Sequence, residues 1–324
     1  MRLGIALVLA ACAANAALAQ QPSARPTENY PSKPVRVLVG SPAGSGTDVM
    51  MRAIAQKLSE RLGQSVVVDN RAGAAGAISL HLAAQSAPDG YSLATLSAQN
   101  VTAMLLGTVT TNIPKALTPV VQMISQPYLM VATPSLPANS VKELIALARA
   151  KPLVYASSGV GTVVHLGMEM LKSMTDMDIT HVPYKGSGLS MIDLMSGRVH
   201  LAITNTLTAT PLVRSGRIRA LAVTSPRRTP VMPDLPTVAE SGVPGYELRS
   251  WYGLVAPKKT SREMILTLNR AVAAVMTAPE VKERLAADGA EAAPPNTPEE
   301  FAGVIAGEIK RWEAFLKRTK LNLH

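Results

Sequence analysis

Cysteine and aromatic residues are scarce in this 324-residue chain. Cys12 is the only cysteine, and Phe, Trp and Tyr together make up 3% of the residues. A single thiol excludes an intramolecular disulfide, so the fold must be stable through its core alone. So few aromatic rings argue against a sugar receptor and against a platform on which nucleic-acid bases stack.

Acidic residues are outnumbered, because 32 Lys and Arg face 22 Asp and Glu and give a formal net charge of +10. The basic residues are dispersed along the chain and are not interleaved with aromatic residues. We therefore predict no nucleic-acid partner. A mild positive field of this kind favours the capture of small anions.

Long apolar runs are missing beyond the N-terminus, so no later segment is predicted to span a membrane. The chain opens with Arg2, an apolar run and an A-x-A pattern ending at Ala19, which is the order typical of a secretory signal peptide. We predict a signal peptide over 1–19, a polar linker over 20–32 and export to the periplasm. Alternatively, "LAAC" resembles a lipobox, in which case Cys12 would be lipidated.

Strand-like and helix-like segments alternate from residue 33 onward. The strand patterns "VRVLVG" (35–40) and "QSVVVDN" (64–70) flank a helix pattern, and the alternation restarts with "YLMVATP" (128–134). This order predicts α/β units with mainly parallel sheets and right-handed crossovers. Residues 98–120 show no such pattern and are predicted to be irregular.

Two α/β units predict a two-domain fold with a cleft. The second unit is interpreted as an insertion in the first, with crossings near residues 130 and 250. Domain 1 is then 33–130 with 251–324, and domain 2 is 131–250. Ligands of open α/β sheets bind beyond the carboxyl ends of the strands, so the loops at those ends are the candidate site.

The first such loop is "GSPAGSGTD" (40–48), which leads into a helix pattern. Gly and Ser let a ligand approach the backbone closely, and the free N–H groups of a helix start attract negative charge. A dinucleotide fingerprint is not met, since Val49 stands at the third glycine position, and a Walker A loop is not met, since no Lys precedes Thr47. The loop is either an anion site or a glycine-rich turn without a ligand, and no cofactor is predicted.

The second loop is "SSGVGTVVH" (157–165), again between a strand and a helix pattern. Ser157, Ser158 and Thr162 offer hydroxyl groups to a carboxylate beside backbone N–H groups. No G-x-S-x-G elbow and no paired carboxylates are present, so we predict no enzyme. His165 either faces the cleft or packs, and for a lone histidine packing is favoured.

Two further motifs are interpreted without a ligand. The five histidines show no metal-ligand spacing, and "HLGME" is not H-E-x-x-H, so no metal site is predicted. A third strand-to-helix loop, "HVPYKGSG" (181–188), contains Lys185, which we predict to face solvent.

Several segments in order along the mature chain resemble one known family. They are "YPSKPVRVLV", "VVVDNRAGAAG", "APDGYSL", "YASSGVGTVVHL", "ITHVPYKG", "IRALAVTS", "LPTVAESGVPGYE" and "SWYGLVAP". The chain resembles the substrate-binding receptors of tripartite tricarboxylate transporters, also called Bug-type receptors. The resemblance implies a two-domain, type II periplasmic-binding-protein fold that closes on a small carboxylate, a di- or tricarboxylate or an aromatic acid. It also implies a monomer that delivers its ligand to membrane permease subunits.

The resemblance further implies a ligand held by backbone amides, hydroxyls and water, with one loop from each domain. Carried over by position, the ligand-binding residues are Ser41, Ala43, Gly44, Ser45, Gly46, Thr47, Asp48, Ser157, Ser158, Gly161, Thr162, His165 and Asn205. The hydroxyls of Thr47 and Thr162 are expected to reach the carboxylate or the waters around it.

The sequence departs from the family's pattern at three places. Ala43 and Ser45 lie in a first loop that is usually rich in Pro-Gly-Gly, and Thr204 stands where an acidic residue usually precedes Asn205. The segment 100–120 lacks the family's aromatic and acidic pattern. Two other functions stay open: a receptor of the same fold that serves a sensor, and a periplasmic enzyme acting on a carboxylate.

Overall fold

The computed structural model describes residues 30–184, 186–230, 232–287 and 290–319. The predicted signal peptide and lipobox, most of the polar linker, and Lys185 lie outside the described residues. Within them, no helix is both long enough and apolar enough to cross a membrane.

The described residues contain ten strands and eleven α-helices. The strands are β1 (Val35–Val39), β2 (Val66–Asn70), β3 (Ser92–Ser97), β4 (Leu117–Ala132), β5 (Leu153–Ser157), β6 (Ile179–Pro183), β7 (Leu201–Asn205), β8 (Arg219–Val223), β9 (Arg249–Pro257) and β10 (Glu291–Ala292). The helices are α1 (Gly46–Leu62), α2 (Ala77–Gln85), α3 (Ala98–Leu105), α4 (Ile113–Ala116), α5 (Val141–Ala150), α6 (Val163–Thr175), α7 (Ser187–Met195), α8 (Thr206–Arg214), α9 (Arg262–Thr277), α10 (Pro279–Ala287) and α11 (Pro298–Thr319).

The strands form two parallel groups joined by two antiparallel strands. The hydrogen-bonded order is β2-β1-β3-β9-β4-β7-β5-β6. β1 runs parallel to β2 and β3, and β5 runs parallel to β6 and β7. β4 spans 16 residues, so it pairs with β9 along its first part and with β7 and β8 along its last. β4 and β9 therefore cross between the two groups.

Aromatic side chains from the C-terminal helix close the core beneath β9. Trp312 and Phe301 of α11 are fully buried, and Phe301 meets the Trp251 ring edge-to-face at 5.5 Å between centroids. Glu308 is buried beside them, and its carboxylate accepts hydrogen bonds from Arg311 (2.6 Å) and from the Trp312 indole (2.5 Å). A buried carboxylate needs such partners, since an unpaired buried charge is strongly destabilising.

Two predictions about local structure are wrong. Residues 98–120 are not irregular, because they contain α3, which begins at a capping box between Ser97 and Asn100, and the short α4. The strand predicted to begin at 128 begins at Leu117. Proline normally argues against a strand interior, but Pro119 lies where the β4–β9 register shifts, and there it breaks no regular ladder.

Gly253 of β9 provides a test of this packing. A Cβ at Gly253 would lie 2.3 Å from Cζ of Phe301 and 2.6 Å from the carbonyl oxygen of Val121. We expect Gly253→Ala to lower the free energy of unfolding by about 1–3 kcal/mol, because the packed ring and backbone leave no room. Urea unfolding followed by circular dichroism measures the change.

Gly303 of α11 is the matched control, because a Cβ there meets no atom within 4 Å. Gly303→Ala removes a helical glycine from open surroundings and should raise stability by about 0.5–1 kcal/mol. Equal stability of the two variants would contradict the packing described for β9 and α11.

Candidate functional site

Two connected cavities lie where the loops at the strand ends meet β4 and β9. The inner cavity has a volume of about 320 Å³. Its lining is mostly polar and consists of Gln99, Gln126, Tyr128, Ser158, Thr162, Val163, Val164, Gly186, Ser187, Ser190, Ile203, Thr204, Asn205, Ser250 and Tyr252.

The outer cavity adjoins the inner one and reaches the first loop. Its volume is about 490 Å³. It is lined by Gly44, Thr47, Val49, Met50, Gln126, Ser187, Asn205, Thr208, Tyr252, Arg284, Leu285 and Ala290. Four residues line both cavities, so together they form one cleft, with residues of both parallel groups on its walls.

The second predicted loop forms one wall of the inner cavity. Gly159 (φ 137°) and Gly161 (φ 74°) adopt backbone conformations that favour glycine, and they bend the chain between β5 and α6. Thr162 is the N-cap of α6: its Oγ1 accepts the His165 N–H (3.4 Å) and donates to the Gly159 carbonyl (2.7 Å). The Thr162 hydroxyl therefore holds the loop together, while Val163 and Val164 of the first turn line the cavity.

Three helices begin at the inner cavity: α6, α7 and α8. They follow β5, β6 and β7, whose parallel alignment places their carboxyl ends at one edge. Asn205 caps α8 by accepting the Thr208 N–H at 2.8 Å, which leaves its side-chain NH₂ for other partners. Helix N-termini carry partial positive charge, and no side chain in the described lining of the inner cavity is ionic. The cavity therefore favours an anion through dipoles rather than through a salt bridge.

Asp48 in the first loop organises the backbone rather than lining either cavity. It is buried, and its carboxylate accepts hydrogen bonds from the Gly44 N–H (2.8 Å), Arg52 Nε (3.1 Å) and Asn70 Nδ2 (2.9 Å). The hydrogen bond from Arg52 is the main cause that lowers the pKa of Asp48 below its usual range. The anionic carboxylate thus fixes Gly44 at the mouth of the outer cavity.

A stack of rings supports the second loop from below. His165 and His181 lie with ring centroids 4.0 Å apart, and Tyr155 stacks on His181 at 4.8 Å. His181 Nε2 contacts Ser157 Oγ at 2.7 Å, and His165 Nδ1 accepts the Gly161 N–H at 3.0 Å. Both histidines hold the loop in shape, so the packing role favoured for His165 agrees with its 4% exposure.

The predicted ligand residues divide into two groups. Those lining the cleft cavities are Gly44, Thr47, Ser158, Thr162 and Asn205. Those in the described loops but outside the lining are Ser41, Ala43, Ser45, Gly46, Asp48, Ser157, Gly161 and His165. The second group shapes the loops; for example, Ser45 caps α1 and donates to Ser41 Oγ at 2.8 Å.

Sequence reasoning missed the floor of the cleft and one of its walls. The floor residues Gln126, Tyr128, Ser250 and Tyr252 come from β4 and β9, the crossing strands. Their proximity depends on long-range strand pairing, so no local motif marks them. The wall residues Gln99, Gly186, Ser187 and Ser190 follow strand ends. The loop 181–188, which contains Gly186 and Ser187, was located in the sequence by the same rule as the other two loops but was interpreted without a ligand.

Two further observations on the described residues concern a second cavity and possible metal ligands. A separate apolar cavity of about 410 Å³, between α4 and α11, contains none of the predicted residues. Across the described ranges, no three His, Cys, Asp or Glu side chains are grouped so that they could hold a metal ion.

Two groups of parallel strands joined by two crossing strands, together with the likeness to solved periplasmic receptors, confirm the predicted two-domain periplasmic-binding-protein fold class. The chain belongs to the tripartite tricarboxylate transporter receptor family, because the model described as "Tripartite tricarboxylate transporter family receptor" matches residues 50–321. Members of this family are periplasmic solute-binding receptors and not enzymes, so this protein is a solute-binding receptor.

Individual relatives agree with this assignment. Protein BugT of Bordetella pertussis is 36% identical over 301 residues, covering 91% of this chain and 92% of BugT. The solved structure of R. palustris Rpa4515 with adipate has a TM-score of 0.76 and 39% identity, covering 89% of this chain and 97% of that one. The structure of MatC from Rhodopseudomonas palustris with bound malate has a TM-score of 0.75 and 30% identity, covering 89% and 100%.

Because His181 is part of the ring stack, we expect the free energy of unfolding to fall in acid. Burial, aided by neighbouring His165, lowers the pKa of His181 from its ordinary 6.5 to about 4. Between these values the unfolded chain binds a proton at His181 that the folded chain does not. This contribution to stability is therefore complete above pH 6.5 and is lost as the pH falls towards 4. Urea unfolding between pH 7 and 4 should show a shallower decline for His181→Gln than for the wild type.

His81→Gln is the control for this measurement, because His81 is exposed on α2. It should leave the pH dependence of unfolding unchanged. A wild-type slope in the His181→Gln variant would show that His181 does not stay neutral in the folded protein.

Proposed function

We propose that this receptor binds a small carboxylate in the cleft and delivers it to the permease subunits of a tripartite tricarboxylate transporter. The supporting observation is the convergence of three helix N-termini on an inner cavity whose described lining contains no ionic side chain. Backbone N–H groups and hydroxyls at such a point suit a carboxylate and disfavour a cation.

The size and the lining of the cleft support a ligand that carries a carbon chain as well as a carboxylate. The inner cavity, at about 320 Å³, lies at the lower end of the range for small-molecule sites. Val49, Met50 and Leu285 add apolar surface in the outer cavity beside Arg284. A carboxylate in the inner cavity with a carbon chain directed outward fits this gradient. Adipate and malate, with which two of the similar proteins were solved, are acids of this kind.

Closure of two lobes is part of the proposal. We assign domain 1 to residues 33–130 and 251–324 and domain 2 to 131–250, with β4 and β9 as the connecting strands. Gly44 and Thr47 would then approach the carboxylate from one side and the α6 and α8 starts from the other. Hinge motion of this type reduces the exposure of the ligand to water and presents a distinct closed state to a permease.

Calorimetry with adipate, malate and succinate tests the binding step, and uptake of the bound acid by cells with and without the receptor tests delivery. Saturable binding of at least one acid, together with uptake that depends on the receptor, is the expected result. Binding without an effect on uptake would contradict the delivery role and favour a sensor. Absence of binding to any carboxylate would contradict the proposed ligand class.

Asn205 offers a substitution that separates binding from folding. Asn205→Asp preserves an N-cap for α8 but replaces the side-chain NH₂ with negative charge at the cavity. A hydrogen bond to a charged group contributes about 1.5–3 kcal/mol, so carboxylate affinity should fall by at least about tenfold, while the melting temperature changes little. Calorimetry and thermal unfolding measure the two effects.

Asn205→Ser is the matched control, because serine also caps helices and adds no charge. It should weaken binding less than Asn205→Asp does. Unchanged affinity of the aspartate variant would mean that the carboxylate does not lie at the α8 start.

A further inference from the structure

We propose that Thr204 determines which carboxylates the cleft accepts, by donating a hydrogen bond to a ligand oxygen in a site that excludes acids carrying an ammonium group. The inference rests on the proposed function, since it concerns the same cleft. It goes further by assigning a specificity-determining residue and the substituents that the ligand can carry.

The hydroxyl of Thr204 is buried without a partner. Thr204 is 2% exposed and lines the inner cavity, yet its Oγ1 forms no hydrogen bond to the described residues. Its backbone lies in register with Leu129 of β4, which fixes the position of the side chain. Among the partnerless buried polar side-chain atoms of the described chain, Thr204 Oγ1 is the one that belongs to a residue of this cavity.

An unpartnered buried hydroxyl is unfavourable in the empty protein, because water has been removed from it and no other group replaces the water. Thr204 Oγ1 itself is covered in the empty protein, so in this proposal the side chain first rotates about its Cα–Cβ bond and turns the hydroxyl towards the cavity. A ligand oxygen there then supplies the missing hydrogen bond. Thr204 also lies directly before Asn205, the cap of α8, so it adds an O–H donor beside the helix N-terminus. A carboxylate, hydroxyl or carbonyl oxygen of the ligand can accept that bond.

The charges that line the cleft indicate that the ligand carries no ammonium group. None of the described residues that line the inner or the outer cavity is acidic, and Arg284 is the charged side chain among them. An ammonium group in this cleft would lose its hydration without gaining an anionic partner, and it would face the positive ends of three helices. The cleft is therefore suited to dicarboxylates and to hydroxy or oxo acids, and not to amino acids.

Two matched pairs of acids test the exclusion by calorimetry on the full receptor. Malate and aspartate differ by hydroxyl against ammonium, and adipate and 2-aminoadipate differ by hydrogen against ammonium. The wild-type receptor should bind at least one of malate and adipate, and the aminated member of that pair should bind on the order of a hundredfold more weakly.

Three substitutions test the role of Thr204. Thr204→Val should weaken binding of the non-aminated acid by about tenfold, the equivalent of one hydrogen bond to a charged acceptor. It should also leave the melting temperature of the empty protein equal or higher, because the orphan hydroxyl is removed. Thr204→Ser should retain affinity, and Thr204→Asp should reverse the preference towards the aminated acid by supplying a carboxylate for the ammonium.

Thr210→Val is the matched control, since Thr210 also has a buried, partnerless Oγ1 but lines neither cleft cavity. It should leave affinity unchanged. Equal wild-type affinity for both members of a pair, or an unchanged affinity of Thr204→Val, would overturn this inference while leaving the carboxylate receptor intact. A wild-type receptor that binds none of the four acids would overturn this inference, and the proposed function itself would be overturned only if succinate and the other carboxylates tested also failed to bind.

Discussion

The alignment of helix N-termini at one edge of a parallel sheet is the constraint on which this structure depends. Because β5, β6 and β7 run in the same direction, α6, α7 and α8 begin side by side at the cleft. Their partial positive charges repel one another unless caps, water or an anion compensate them. Thr162 and Asn205 cap two of the three, whereas α7 follows Gly186 without a side-chain cap. An anion bound as proposed would supply the compensation that remains.

The sequence was most informative where chemistry and local geometry coincide. A strand, a Gly/Ser loop and a helix follow one another within 28 residues (35–62) at the first predicted loop and within 23 residues (153–175) at the second. The sequence therefore predicted two turns that each lead into a helix N-terminus. It did not predict the roles of the individual residues. Asp48, for example, pairs with Arg52 and with Asn70, the latter 22 positions away, and the sequence alone did not indicate this pairing.

The floor of the cleft was even harder to predict from the sequence. Tyr252 comes into the inner cavity because β9 pairs with β3 on one side and with β4 on the other, and Ile124 of β4 is its register partner. The two prolines of β4 obscured that strand in the sequence, since proline usually ends a ladder. Residues brought together by pairing over more than a hundred positions carry no local signal, so the crossing strands could not be assigned to the site from sequence.

A receptor must release its ligand as well as capture it, and a site built on dipoles suits both steps. A buried salt bridge would desolvate two charges and leave one of them uncompensated on release, which is strongly unfavourable. In the proposed site, the polar groups of the lining other than the Thr204 hydroxyl would return to water when the ligand leaves, and no side-chain charge among the described lining residues would be left unpaired. The net positive charge of the chain still attracts anions from a distance, because long-range attraction depends on the summed field rather than on a group inside the cleft. Capture and release are thus assigned to different parts of the molecule.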